Sequence, residues 1–323
     1  MLFRNSLRLL MENFKNVYKI LLYKLIVGIV ASALCVAMIL PQLLELLHSA
    51  PMQDLIAGVQ SFFTALLSAN AEQLGVVKEQ LFSDNGALHR FADLLLSRTT
   101  GIVLATVGCL VVYLIKRFAD TLCYFALGGV LSDRMSTYTE TPLATAYIKN
   151  VGKACRYALL YVPVAFAFEA VALVLCYLAI RFVSILGALF ISVTVMVFAQ
   201  ALKFTFTGRW MPAMITDGLR LRDSLRYKDK TERKQRAKMF STYLVSVYGV
   251  VIVNVMAAIC TFGSALIITI PASYFLFICE QFTHYYTIKG KKYFITYERI
   301  ASNPDRGDRE HFFDYIDETK EGK

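Results

Sequence analysis

Charge is scarce in this chain, and so are the residues that usually build catalytic sites. Only 18% of its 323 residues are charged, against about 25% in an ordinary soluble domain. That deficit excludes a typical water-soluble globular protein. Histidine occurs four times, at His48, His89, His284 and His311, in no metal-ligating spacing, which excludes an HExxH-type zinc centre. Neither a GxxxxGK(S/T) phosphate loop nor a GxSxG elbow occurs, which excludes an ATPase motor and an α/β-hydrolase nucleophile. The seven cysteines, Cys35, Cys109, Cys123, Cys155, Cys176, Cys260 and Cys279, never form CxxC. An odd count leaves at least one unpaired, and most lie in apolar runs, so they read as small buried hydrophobes. The expectation is a non-enzymatic protein that uses no cofactor and no metal.

Hydrophobic residues make up 57% of the chain, and they gather in runs of about 20, the length that crosses a bilayer. Six spans fit: 21–44, 94–115, 157–180, 183–203, 242–262 and 265–285. Backbone amides in lipid must be satisfied within their own segment, so these are helices. The first run is too long for a signal-peptide core and reads as an uncleaved helix. The predicted fold class is therefore an all-α integral membrane protein of six transmembrane helices. It divides into an amphipathic lead-in (1–20), a membrane domain (21–288) and a tail (289–323).

Basic residues sort by side. Thirty of the 34 Lys and Arg lie in the N-terminal arm, the loop 116–156, the loop 203–238 and the tail; only Lys78, Arg90, Arg98 and Arg181 fall on the other side. Bases are kept in the cytoplasm, so both termini are expected there, in a protein of the cell membrane. The outer segment 45–98 carries Leu55, Val59, Phe62, Phe63, Leu66 and Leu67, then Leu74, Val77, Leu81 and Phe82, at helical spacing. It reads as one or two amphipathic interfacial helices.

A repeat runs through the spans. "KNVYKILLY" (15–23) precedes the first, "KNVGKACRY" (149–157) the third, and "KQRAKMFSTY" (234–243) the fifth more loosely. Each outward-going helix thus opens on a basic, interfacial turn, and three antiparallel hairpins follow. The same alignment sets Glu169 twenty residues after Lys149 and Asn254 twenty residues after Lys234.

Glu169 is the anomaly. It sits near the middle of the apolar run 157–180, where a charged side chain costs about 2.5–3.5 kcal/mol on insertion scales. Two readings stand side by side. A neutral acid bonded to Asn254 or to a Ser/Thr glues helices together. Alternatively, Glu169 is a proton- or cation-responsive member of an intramembrane polar site with Asn254, Gln200 and Lys203. Lys116, Arg117 and Asp120, just past the second span, read as an interfacial charge cluster, with a helical extension or a re-entrant element as the alternatives.

The inner loop 204–240 holds the densest charge. Arg220, Arg222, Arg226, Lys228, Lys230, Arg233, Lys234, Arg236 and Lys238 beside a span should attract anionic lipid of the bilayer. Few aromatics interleave with these bases, which argues against nucleic acid despite the net charge of +10. The tail turns from basic to acidic and includes "HFFDYIDE", a short helix or a segment for a cytoplasmic protein partner. On this basis the chain is transporter-like or lipid-handling; the alternative is a structural or regulatory membrane protein that recruits a partner or lipid through its loop and tail.

The lead-in "SLRLLMENFKNVYKILLYKL" and its repetition before the spans resemble a loose group of bacterial multi-pass proteins. That group is similar to the membrane domain attached to some glycerophosphodiester phosphodiesterases. The resemblance implies a helical integral membrane protein; none of that enzyme's catalytic motifs is present, and no functional residue carries over.

Overall fold

The computed structural model describes residues 2–68, 71–83, 86–225, 236–297, 299–301 and 309–311. Among them, six helices are long and apolar enough to cross a membrane. They are α2 (Lys15–Leu47), α6 (Thr99–Thr137), α7 (Leu143–Phe182), α8 (Ile185–Thr207), α11 (Arg236–Thr261) and α12 (Leu266–Ile288). Shorter helices are α1 (Leu2–Glu12), α3 (Ala50–Leu67), α4 (Ala71–Phe82), α5 (Ala87–Ser97), α9 (Trp210–Thr216) and α10 (Leu221–Leu225). Large apolar side chains such as Leu104, Phe190 and Ile259 are two-thirds or more exposed on the long helices, a surface that only lipid makes stable. Pro41, Pro163 and Pro271 lie inside long helices, as bilayer-spanning helices tolerate.

The chain divides into two compact units. Residues 26–116 form one, and residues 1–25 with 117–323 the other. In the first, α3, α4 and α5 pack on one another around Val77, Leu81 and Ala87, with Leu55 and Phe62 against them. Gly101 and Gly108 of α6 lie against the side chains of Gln42 and Met38 of α2. The two apolar runs noted in the outer segment form α3 and α4, and a third helix, α5, follows them. The second span starts five residues later than its sequence placement, because 94–97 close the amphipathic helix α5 and Arg98 breaks the run.

In the other unit, the second half of α12 is the hub. Phe275, Cys279, Phe282 and Tyr286 are almost wholly buried against Leu9 and Leu10 of α1, Phe125, Leu127 and Leu131 of α6, and Met211 and Met214 of α9. α7 packs on α8 and α8 on α11. The α11–α12 turn passes through left-handed Phe262 and Gly263, and the Gly263 amide donates to the Ala258 carbonyl at 2.9 Å, a Schellman closure. Gly208, where α8 ends, allows the Tyr243 hydroxyl of α11 to approach; a Cβ there would stand 2.8 Å from that oxygen.

Two elements differ from the sequence reading. α6 continues unbroken past Lys116 to Thr137, which selects the helical extension among the alternatives for that charge cluster. The tail contains an antiparallel sheet, β1 (Tyr293–Thr296), β2 (Arg299–Ala301) and β3 (Arg309–His311), in that order. β1 alternates buried Tyr293 and Ile295 with half-exposed Phe294 and Thr296, the period of two of a strand. Its Tyr293 hydroxyl accepts from Asn5 of α1 at 3.2 Å. Only His311 of "HFFDYIDE" lies within the described residues, and it is in a strand.

Candidate functional site

The polar residues of five helices converge on one cavity of about 500 Å3, within the roughly 300–1,000 Å3 of ordinary ligand pockets. α6 contributes Arg117, Asp120, Thr121 and Tyr124. Their spacing of i, i+3, i+4 and i+7 puts them on one helical face. α7 contributes Tyr157, Tyr161 and Glu169, and α8 contributes Gln200, Lys203 and Phe204. α11 contributes Val247, Val250, Val251 and Asn254, again at i, i+3, i+4 and i+7; α12 contributes Ser273, Tyr274, Phe277 and Gln281.

Glu169 is shared by two bases. The Arg117 guanidinium donates to Oε2, and the Lys203 ammonium donates to Oε1 at 3.3 Å. The side chains are 29% (Arg117), 16% (Glu169) and 7% (Lys203) exposed. Such a triad carries a net positive charge, which Asp120, 7% exposed in the same wall, formally balances. An isolated buried charge is costly, and a buried pair is tolerated only where each charge has a partner. Here a single carboxylate serves two helices beside its own, so the three side chains fix the mutual register of α6, α7 and α8.

The walls are otherwise aromatic. Tyr124 and Tyr274 stack at 5.3 Å between centroids, with the Lys24 ammonium 3.5 Å above the Tyr274 ring. Tyr157 and Tyr161 stack at 5.1 Å. The cavity thus offers a charged end, stacked phenols and an aliphatic side. Chemically it suits an amphipathic molecule, and the planar guanidinium fork of Arg117 suits a carboxylate or phosphate oxygen pair.

All four residues singled out for an intramembrane site, Glu169, Asn254, Gln200 and Lys203, line this cavity. The Glu169–Asn254 bond considered for a helix glue is not formed. Asn254 instead accepts from Thr269 at 2.7 Å and donates to Ser273 at 3.1 Å, because those hydroxyls lie one helix away on α12 while Glu169 already faces two bases. Sequence reasoning passed over Arg117 and Asp120 as members of the site. Their signal was present: with Thr121 and Tyr124 they form a polar helical stripe directly after an apolar span. It also passed over Glu280, a second acid in an apolar run. Glu280 is 1% exposed and accepts from Ser246.

Of the loop's nine bases named above, none of the four described lines this cavity. Arg220 precedes α10, Arg222 lies in it, and Arg236 and Lys238 open α11. Arg226, Lys228, Lys230, Arg233 and Lys234 lie outside the described residues. Among the described residues, no group of three or more His, Cys, Asp or Glu gathers as metal ligands. In comparisons with known proteins, no family model, no curated protein and no solved structure matches the chain.

Proposed function

We propose that the chain is a non-enzymatic, multi-pass cell-membrane protein, transporter-like or lipid-handling, whose cavity takes a small amphipathic ligand with an anionic group. Glu169 is the proton- or cation-responsive member of that site. The observation that carries this reading is one carboxylate held between Arg117 and Lys203 in the cavity wall. Glu169 occupies the position that a ligand's anionic group would take. A proton or cation reaching Glu169 weakens its hold on the two bases and leaves them to the ligand, and ligand departure returns them to Glu169. The cavity thus has two arrangements that differ in proton or cation occupancy, which is what couples a binding equilibrium to a second ion.

In this reading the six helices cross the membrane as three antiparallel hairpins with both termini in the cytoplasm, and α3 to α5 lie at the outer interface. The asymmetry of the bases supports that orientation. Cysteine placed at Val76 should then react with an impermeant thiol reagent from outside intact cells, and cysteine placed at Ala237 should not, in a chain freed of its own cysteines. The reverse pattern overturns the orientation.

The function is tested with Gln200→Cys in the same background. Its labelling rate, relative to the exposed cysteine at Ala237, should change with pH when Glu169 is present. Glu169→Gln should leave a folded chain, monitored by gel filtration, whose relative labelling no longer responds to pH. A response retained in full by Glu169→Gln overturns this reading and leaves the triad as helix glue. The second reading, recruitment of a cytoplasmic partner or anionic lipid through the loop 204–240 and the tail, draws on the sheet β1–β3, which presents strand edges. Loss of partner capture on deleting residues 289–323 would favour it.

A further inference from the structure

A second, smaller cleft lies apart from the Glu169 cavity, at the starts of α2 and α7. Its volume is about 170 Å3, and its lining includes Lys15, Asn16 and Lys19 of α2, Arg134 of α6, and Glu140 and Pro142 of the segment entering α7. The volume is below the range of whole-ligand pockets, so the cleft takes a group rather than a molecule. We propose that it binds a phospholipid headgroup, a phosphate ester that also carries a hydroxyl or ammonium hydrogen-bond donor.

Two buried polar atoms in the cleft have no partner. Asn16 is 2% exposed, and its side-chain carbonyl Oδ1 accepts no hydrogen bond. The Nε–H of Arg134, whose side chain is 13% exposed, donates none. Buried polar atoms left unpaired are uncommon. One of these is an acceptor and the other a charged donor. A phosphate oxygen satisfies Arg134, and a headgroup hydroxyl or ammonium satisfies Asn16. A phosphate diester whose headgroup carries no donor satisfies only the first.

The surrounding charge agrees. Lys15 and Lys19 stand one turn apart, and α7 begins after Pro142 with no side-chain cap on its first amides, an end that favours anions. At present the anion position is taken from within. Glu140 receives Lys15 at 2.6 Å and Arg134 at 3.4 Å, yet its side chain is 60% exposed. A carboxylate so exposed is readily displaced. Glu140 follows Tyr138, whose left-handed backbone (φ 56°) is fixed by the Arg134 guanidinium 3.5 Å from its ring and by its hydroxyl, which donates to Glu12 at 2.9 Å. Arg134 is therefore held by its neighbours whether or not Glu140 stays.

The level of the cleft selects lipid over a dissolved phosphate ester. Lys15 and Lys19 open a span, and the next exposed side chains along it are Tyr18 and Leu22, with Ile148 exposed on α7. These offer apolar surface to acyl chains. The repeat adds a contrast. In the second copy, Asn150 donates to the Ala146 carbonyl at 3.0 Å and faces Gly129 of α6. Asn16, its counterpart in the first copy, makes no such bond and lines the cleft instead.

The test uses the purified full chain in a neutral detergent, with binding of short-chain phosphatidylglycerol, phosphatidylcholine and inorganic phosphate followed by native mass spectrometry. Phosphatidylcholine carries the phosphate but no donor. One phosphatidylglycerol should bind, about tenfold more tightly than phosphatidylcholine, the order of pairing one buried acceptor that is otherwise left unsatisfied. Lys19→Gln, a half-exposed position that leaves the fold intact, should weaken it several-fold, and Glu140→Gln should tighten it. Binding of inorganic phosphate alone, sensitive to the same two variants, would overturn the lipid assignment and make this a site for soluble phosphate. Equal binding of the two lipids, or binding that neither variant alters, overturns the site.

Discussion

The two units use their apolar residues in opposite ways. In residues 1–25 with 117–323, the large side chains Phe125, Tyr243, Phe275, Phe282 and Tyr286 are at most 2% exposed. In residues 26–116 the buried apolar side chains among the described residues are Ala65, Val77, Leu81, Ala87 and Val112, few and mostly small, while Leu34, Val103 and Leu104 face outward. The first unit has an interior, which excludes water and lipid and holds side chains in fixed rotamers. The second relies on its surroundings: lipid is as apolar as leucine, so its helices gain little by burying leucine against each other. A site with three charges needs the first kind of environment. The Glu169 cavity lies wholly within that unit.

Breaking the charge balance should show the largest contrast. Glu169→Ala removes the carboxylate that Arg117 and Lys203 share and should cost about 3–5 kcal/mol of stability. Glu45→Ala removes the partner of Arg98 in the other unit, where both side chains are about half exposed, and should cost less than about 1 kcal/mol. Reversible unfolding in detergent compares them directly; equal losses would erase the distinction drawn here.

Truncating a ring is the next contrast. Phe282→Ala, at the hub, should cost about 3–5 kcal/mol, whereas Phe63→Ala, 58% exposed on α3, should stay within about 0.5 kcal/mol. Adding a methyl sharpens the comparison further. A Cβ at Gly128 would lie 3.0–3.1 Å from Phe282, Ile215 and Met211, three side chains of a filled core, so Gly128→Ala should cost about 1–3 kcal/mol. A Cβ at Gly108 meets only the Met38 side chain, which can swing aside, and Gly108→Ala should be close to neutral in the same unfolding measurement.

The smallest effect belongs to the edge of the interior. Asp217, after α9, accepts from Lys291 and Tyr285, each at 2.5 Å. Burial pushes its carboxyl up, but these two bonds and the charges of Lys291 and Lys289 outweigh it and hold the carboxyl below the usual range. A depressed value in the folded state means the contact stabilises fully above the ordinary aspartate range near pH 4. The contribution is lost only as pH falls through the depressed value. Asp217→Asn should therefore cost less than about 1 kcal/mol at neutral pH and nothing at strongly acidic pH. A penalty that persists in acid would assign the contact to packing instead.

How much of this was legible beforehand differs by element. The spans were, because a helix in lipid is decided by about twenty consecutive apolar residues and needs no partner. Their ends were less so. The start of the second span absorbed the apolar turn Leu94–Leu96 of α5, since hydropathy alone does not separate an amphipathic helix from the span beside it. Glu169 was conspicuous, as a lone acid in an apolar run, and the repeat aligned it in depth with Asn254. Glu280 lies in an apolar run as well, but beside Gln281, Thr283 and His284 it does not stand alone as Glu169 does.

The sequence by itself determined that six helices are long and apolar enough to span a bilayer, and that an acid stands inside one of them. Both are properties of a contiguous stretch. The tertiary structure alone decided what that acid meets. Arg117 and Lys203 are 52 and 34 residues from Glu169 along the chain, and each bond requires that particular faces of α6, α7 and α8 be turned together. The same holds for the unpaired Asn16 Oδ1 and Arg134 Nε, which meet in one cleft only because α2, α6 and the entry to α7 close around them. Periodicity tells which residues share a face of one helix; which faces then meet is set by packing the whole set of helices around one interior.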